Sequence, residues 1–117
     1  PYPTLADVSA EFEPLLHGRT TTTAFIAAYD GRPVGYVQRY FPHLEPDYWG
    51  RQELPPGIAG IDLFIGEPGL IGRGFGPVFV RAFLRQVVFA DGTVPACLID
   101  PDPANTAAIR AYEKVGF

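Results

Sequence analysis

Methionine is absent from this chain of 117 residues, and cysteine occurs once, at Cys97. A lone cysteine cannot close an internal disulfide, so a disulfide-stapled scaffold is excluded and the cytoplasm is the expected compartment. Histidine occurs twice, at His17 and His43. With one cysteine and two distant histidines, no metal-ligand spacing can be written, and no metal site is expected. No apolar run approaches the length of a bilayer-spanning helix, and no stretch reads as a secretory leader. Positive charge is also in short supply. Nine Lys and Arg stand against thirteen Asp and Glu, for a formal net charge of −4, which argues against nucleic acid as the main partner. What remains, 47% apolar and 19% charged residues, is the composition of one soluble domain with a modest core. Without a methionine, and with its last residue at the end of a predicted helix, the chain is expected to be a piece of one longer domain, truncated at both ends.

Proline and glycine are abundant, thirteen of each, and they punctuate the chain. Leu5, Val8, Phe12, Leu15 and Leu16 fall near helical spacing, and Pro3 and Pro14 limit any helix to the stretch between them. Residues 20–29 are β-branched and aromatic and read as a strand. Asp30-Gly31 is a tight-turn signal, and residues 34–41 are the returning strand of an antiparallel hairpin, with Gly35 as a candidate bulge. Residues 42–57 lack periodicity. They hold Glu45, Asp47, Tyr48, Trp49 and Glu53, and they read either as a solvated loop with an aromatic anchor or as a substrate flap. Residues 57–65 form a short apolar strand interrupted by Asp62. Its carboxylate needs a cation, a cleft or a hydrogen bond to nearby backbone.

The chain is organised around the glycine-rich turn after this strand. Gly72-Arg73-Gly74-Phe75-Gly76-Pro77 links the strand to a helix predicted over residues 78–90, with Pro77 at its first position. Glycines at every second position strip the turn of side chains, so backbone N–H groups can converge on an anion at the positive end of the helix dipole. Arg73 can add a fixed charge. A Walker loop is excluded because no Lys-Ser or Lys-Thr comes after the glycines, and the dinucleotide fingerprint fits badly. A second strand, residues 96–99, runs parallel to the first through a right-handed crossover and places Asp100 at its carboxyl end. Asn105 then caps a helix on which Ala108, Ile109 and Tyr112 share a face, and Gly116 stops it. From its pattern alone, Tyr112 reads equally as core packing. Basic residues cluster on the two helices (Arg73, Arg81, Arg85, Arg110, Lys114). Acidic ones cluster in the long loop and at strand ends, down to Asp102. One edge therefore suits a phosphate-bearing cofactor and the other a cationic acceptor.

The pair Gly-Arg-Gly-Phe-Gly before a helix and Asn105-x-x-Ala-x-x-x-Tyr-Glu-Lys-x-Gly-Phe resembles the GNAT superfamily of acetyl-CoA-dependent N-acetyltransferases. Gly60-Ile61-Asp62 and Asp100-Pro-Asp-Pro-Ala-Asn105 resemble its aminoglycoside 6′-N-acetyltransferase branch, whose activity gives antibiotic resistance. The resemblance implies an α/β (α+β) fold with a mixed, mostly antiparallel sheet flanked by helices. It implies acetyl-CoA as cofactor, held along Leu63, Phe64 and Ile65, at Ile71 to Gly76 and at Asn105. It implies Tyr112 as proton donor to the departing thiolate. Asp62 and Asp100 are the candidates for accepting the proton of the amine. Glu45, Asp47, Tyr48, Trp49 and Glu53, with Asp62 and Asp100, would meet a small polycationic acceptor. Many superfamily members carry Gln or Arg where this chain has Ile71; the aminoglycoside branch resembles it in having an apolar residue there. Two other readings use the same residues: acetylation of peptide or amino-acid amines, and a non-catalytic acyl-CoA-binding domain.

Overall fold

The computed structural model describes residues 6, 21–44, 54–66, 68–70 and 72–117. The helical pattern before residue 20, the loop residues Glu45, Asp47, Tyr48, Trp49 and Glu53, and Ile71 lie outside the described residues.

Four strands form one mixed sheet in the order of the chain. β1 (Thr23–Tyr29) and β2 (Arg32–Tyr40) are antiparallel. Asp30 and Gly31 join them with φ of 53° and 76°, the two left-handed residues of a type I′ turn, whose twist matches that of the strands. The register skips Val34, because Ala27 faces Gly35 and Ala28 faces Pro33. The expected bulge is therefore next to Gly35. β3 (Ala59–Ile65) is antiparallel to β2, and β4 (Cys97–Leu98) is parallel to β3.

α1 (Phe75–Phe83) makes the crossover. It begins two residues before Pro77, so the proline occupies the third helical position instead of the first. The position is tolerated for the same reason, since N–H groups of the first turn have no partner within the helix. The helix then widens into a π-turn over Leu84–Val88, where the Phe89 N–H donates to the Leu84 carbonyl at 2.8 Å. α2 (Thr106–Val115) starts at Asn105, whose Oδ1 accepts from the Ala108 N–H at 3.1 Å, and stops at Gly116 with φ of 113°. α1 and α2 meet at Gly76 and Ala111, where a Cβ on the glycine would lie in ordinary contact with that of Ala111, at 3.8 Å. Among the described residues no helix is long and apolar enough to cross a membrane.

The two faces of the sheet differ. Phe25, Val37 and Leu63 stand in register across β1, β2 and β3 on one face. That face meets the helices: Val37, Ala59, Ile61, Val80, Phe83, Val88 and Tyr112 form a single buried cluster, with Phe25 edge-on to Phe83 at 5.2 Å. The opposite face carries Ile26, Tyr36 and Phe64 in one row, then Gln38 and Asp62, then Tyr40 and Gly60. Gly60 is required there because a Cβ would run into the Tyr40 ring.

Gly35 is similarly confined. A Cβ added to it would lie 2.7 Å from the backbone oxygen of Phe64 and 3.4 Å from Ile65 Cα, neither of which can rotate away. Gly35→Ala should therefore lower stability by about 1–3 kcal/mol. Gly66→Ala, whose added carbon would meet only the Val34 oxygen at 4.0 Å, should change it by less than about 0.5 kcal/mol. Urea unfolding of the two variants checks the difference.

Candidate functional site

The site begins where the parallel pairing stops. β4 pairs with β3 only at Ala59–Cys97 and Gly60–Leu98, whereas β3 continues to Ile65. Pro101 and Pro103 come soon after β4 and cannot donate to a ladder. The Ala59 N–H points at this edge and donates to the Ala96 carbonyl at 3.1 Å. Backbone groups alternate along a strand, so the N–H groups of Ile61, Leu63 and Ile65 point at the same edge. Beyond Gly60 that edge opens on a wedge with no strand across it.

A cleft of about 480 Å³ fills the wedge. One wall is Leu63, Phe64 and Ile65 of β3. The floor is Gly72, Gly74, Gly76 and Pro77 at the head of α1. The other wall is α2, through Asn105, Ala108, Ala111 and Tyr112, with Arg110 and Lys114 toward the mouth. Gly72 and Gly74 have φ of 75° and 82°, and a Cβ at either would meet nothing within 4 Å. Gly74 caps α1 without a side-chain bond, so no side chain shields the first N–H groups of the helix. A bare, N–H-rich turn at a helix start, lining a cleft, fits an anionic phosphate group. The other residues of this motif lie differently. Arg73 is exposed, outside the cleft lining, and donates to the Gly69 carbonyl at 3.4 Å. The Phe75 ring packs edge-on against Tyr29 at 4.8 Å.

A smaller cavity of about 140 Å³ adjoins the cleft and shares Leu63, Asn105, Ala108 and Tyr112 with it. It brings together Asp62, Asp100 and Tyr112, which come from three separate segments of the chain. Asp62 Oδ2 accepts from Gln38 Nε2 at 2.8 Å, and Gln38 Oε1 accepts from the Tyr36 hydroxyl at 2.7 Å. Asp62 thus takes its hydrogen bond from a β2 side chain, neither from a cation nor from loop backbone. Asp100 is exposed at the rim. Asp102 is engaged locally, its Oδ1 accepting from the Ala104 N–H at 2.8 Å.

Tyr112 is buried, and its hydroxyl holds its proton more tightly than an ordinary tyrosine. Burial is the main cause, followed by the negative charge of Asp62 and then Cys97. Cys97 is itself pushed up to about 12 by burial. Gln38 and Tyr36 are the site residues that reading the sequence missed. The available signal was their spacing, since Tyr36, Gln38 and Tyr40 alternate on one face of the strand, with Val37 and Arg39 between them.

A family model described as an acetyltransferase (GNAT) domain matches residues 2–117. The chain belongs to the GNAT acetyltransferase family. The domain is 40% identical over 98% of its length to an aminoglycoside N(6′)-acetyltransferase type 1 of Klebsiella pneumoniae, and spans 57% of that protein. It is 42% identical over 74 residues to a kanamycin resistance protein of Rhizobium radiobacter, covering 63% of this chain and 68% of that one. Among solved structures, AAC(6′)-Ib in complex with ribostamycin and coenzyme A superposes with a TM-score of 0.87 at 40% identity, over 98% of this chain and 64% of that one. The mixed, mostly antiparallel sheet with flanking helices expected for a GNAT domain is the one observed.

The burial of Cys97 in this domain is directly measurable. With a thiol titrating near about 12, only about 10⁻⁴ of it is thiolate at pH 8. Iodoacetamide at pH 8 should leave the folded protein unmodified over hours and alkylate it fully in guanidinium. Intact-mass spectrometry distinguishes the two. Rapid labelling of folded protein would contradict the packing of Cys97 against the core cluster.

Proposed function

We propose that this GNAT domain is part of a cytoplasmic N-acetyltransferase that uses acetyl-CoA to acetylate an aminoglycoside-like polycationic amine at a 6′-amino position, an antibiotic-resistance activity. One observation carries the reading. The cleft with the glycine turn and the cavity with the carboxylates share a wall, and Tyr112 stands in it. A phosphate-bearing donor and a cationic acceptor can therefore meet at one hydroxyl. The aminoglycoside-modifying relatives support the acceptor class.

Acetyl-CoA supplies the acetyl group as a thioester. In this reading backbone N–H groups from Ile71 to Gly76 hold its pyrophosphate, Ile71 on sequence grounds alone. Asn105, Phe64 and Ile65 flank the pantetheine arm. The Leu63 N–H, on the open edge of β3, donates to the thioester carbonyl and stabilises the charge that develops there. The acceptor nitrogen attacks the carbonyl carbon directly: a C–N bond forms and the C–S bond breaks. Asp62 or Asp100 takes the proton lost by nitrogen, and Tyr112 gives one to the departing sulfur. A tyrosine with a raised pKa remains protonated across the neutral range, as a donor must. Glu45, Asp47 and Glu53, with Tyr48 and Trp49, complete the acceptor side on sequence grounds. Rim carboxylates act mainly on encounter and so make capture of a polycation salt-sensitive.

Tyr112→Phe keeps the buried ring and removes the proton. It should lower kcat by ~10²–10⁴-fold with little change in KM. Gly74→Val should abolish acetyl-CoA binding in calorimetry while circular dichroism stays native, because its φ of 82° and its place in the cleft both demand glycine.

The substrate class is tested by CoA release from a panel of aminoglycosides, polyamines and peptides at two ionic strengths. Aminoglycosides should turn over, with KM rising steeply with salt. Turnover of peptides alone would refute the acceptor and leave the acetyltransferase standing.

A further inference from the structure

We propose that Gln38 is a positioning residue that fixes the Asp62 carboxylate toward the acceptor, and that it is itself oriented by the Tyr36 hydroxyl. The inference rests on the reading of Asp62 as a proton acceptor.

The register of β2 and β3 brings these groups together. Gln38 faces Asp62 and Tyr36 faces Phe64 across the two strands, and directly opposed residues place their side chains on the same face of a sheet. An ionised carboxylate only accepts hydrogen bonds, so the amide nitrogen of Gln38 must be the end that faces Asp62. The amide oxygen is then left for Tyr36, whose hydroxyl donates to it. The bonds measure 2.8 Å and 2.7 Å. The Tyr36 ring lies stacked on Phe64, 5.1 Å between centroids and 20° between planes, which sets where its hydroxyl can be.

The chemistry of the donor matters. Among the described residues Gln38 is the hydrogen-bond donor to Asp62, and no cation pairs with that carboxylate. An arginine or lysine there would orient the carboxylate but depress its basicity. A neutral amide holds Oδ2 in place with a weaker effect on basicity, and leaves Oδ1 for the acceptor nitrogen. Among the described residues, the other titratable groups facing Asp62 are the Tyr112 hydroxyl on α2 and Asp100 past β4, both lining the same cavity. Neither supplies positive charge.

The test uses three variants of the full chain, with kcat and KM measured separately for an aminoglycoside acceptor. Gln38→Met keeps the length of the side chain and removes the donor. It should lower kcat on the order of 10-fold with little change in KM, because Asp62 loses the bond that holds Oδ2 toward the acceptor. Tyr36→Phe keeps the stacked ring and should produce a smaller fall in kcat, again with KM held. It carries the test if Gln38→Met fails to fold. Acetyl-CoA affinity, measured by calorimetry, should be unchanged in both. A folded variant whose kcat stays at the parent value overturns the proposal, as does one that loses only thermal stability. Asp62→Asn separates the two layers. If it is inactive while Gln38→Met is normal, the positioning role alone falls. If Asp62→Asn turns over normally, the proton-acceptor reading falls and the positioning role with it.

Discussion

The site depends on an interrupted strand pairing. β3 and β4 share only two residue pairs, and then β3 runs on alone to Ile65. A parallel ladder that continued would consume the N–H groups of Leu63 and Ile65 and close the space between the sheet and α2. Pro101 and Pro103 make continuation impossible within a few residues of β4, and Asn105 turns the chain into α2. The wedge is therefore a product of local chain chemistry. It leaves polar backbone at the edge of an apolar core, an arrangement that is stable where a polar ligand or water reaches it.

The helices convert this wedge into a cleft with two ends of different character. At one end α1 opens from a bare glycine turn, with Arg110 and Lys114 across from it on α2. At the other, Asp62 and Asp100 stand beside Tyr112. The separation keeps the two charge sets from neutralising each other, as the proposed anionic donor and cationic acceptor would require. Tyr112 belongs both to the buried core cluster and to the shared wall. Its two sequence readings, packing and chemistry, are therefore not alternatives. The burial that makes it a core residue also raises its pKa, so its hydroxyl stays protonated as the proposed donor role requires.

The faces of the sheet are divided in the same way. Ile61 and Leu63 face the helices, while Asp62 and Phe64, one residue out of phase, face the other side with Gln38 and Tyr36. A strand's two-residue period thus places a core, an open backbone edge and a polar pair within five residues of β3.

Much of this was legible without coordinates, because it is written in short-range chemistry. Asp30-Gly31 dictates a left-handed two-residue turn, Gly116 a helix stop and Asn105 a helix start. The glycine turn before α1 announces a helix N-terminus bare of side chains. The order strand, turn, helix, strand dictates a parallel crossover. Other features required the tertiary structure. Helix α1 begins at Phe75 and not after Pro77, because the free N–H groups of a first turn give proline three acceptable positions and packing selects among them. Arg73 turns back on Gly69, a choice that no spacing encodes for a long exposed side chain. The partnership of Gln38 with Asp62 spans 24 residues. It is set by the unbroken register of β2 against β3, and a shift of one residue would have put a core-facing side chain opposite Asp62.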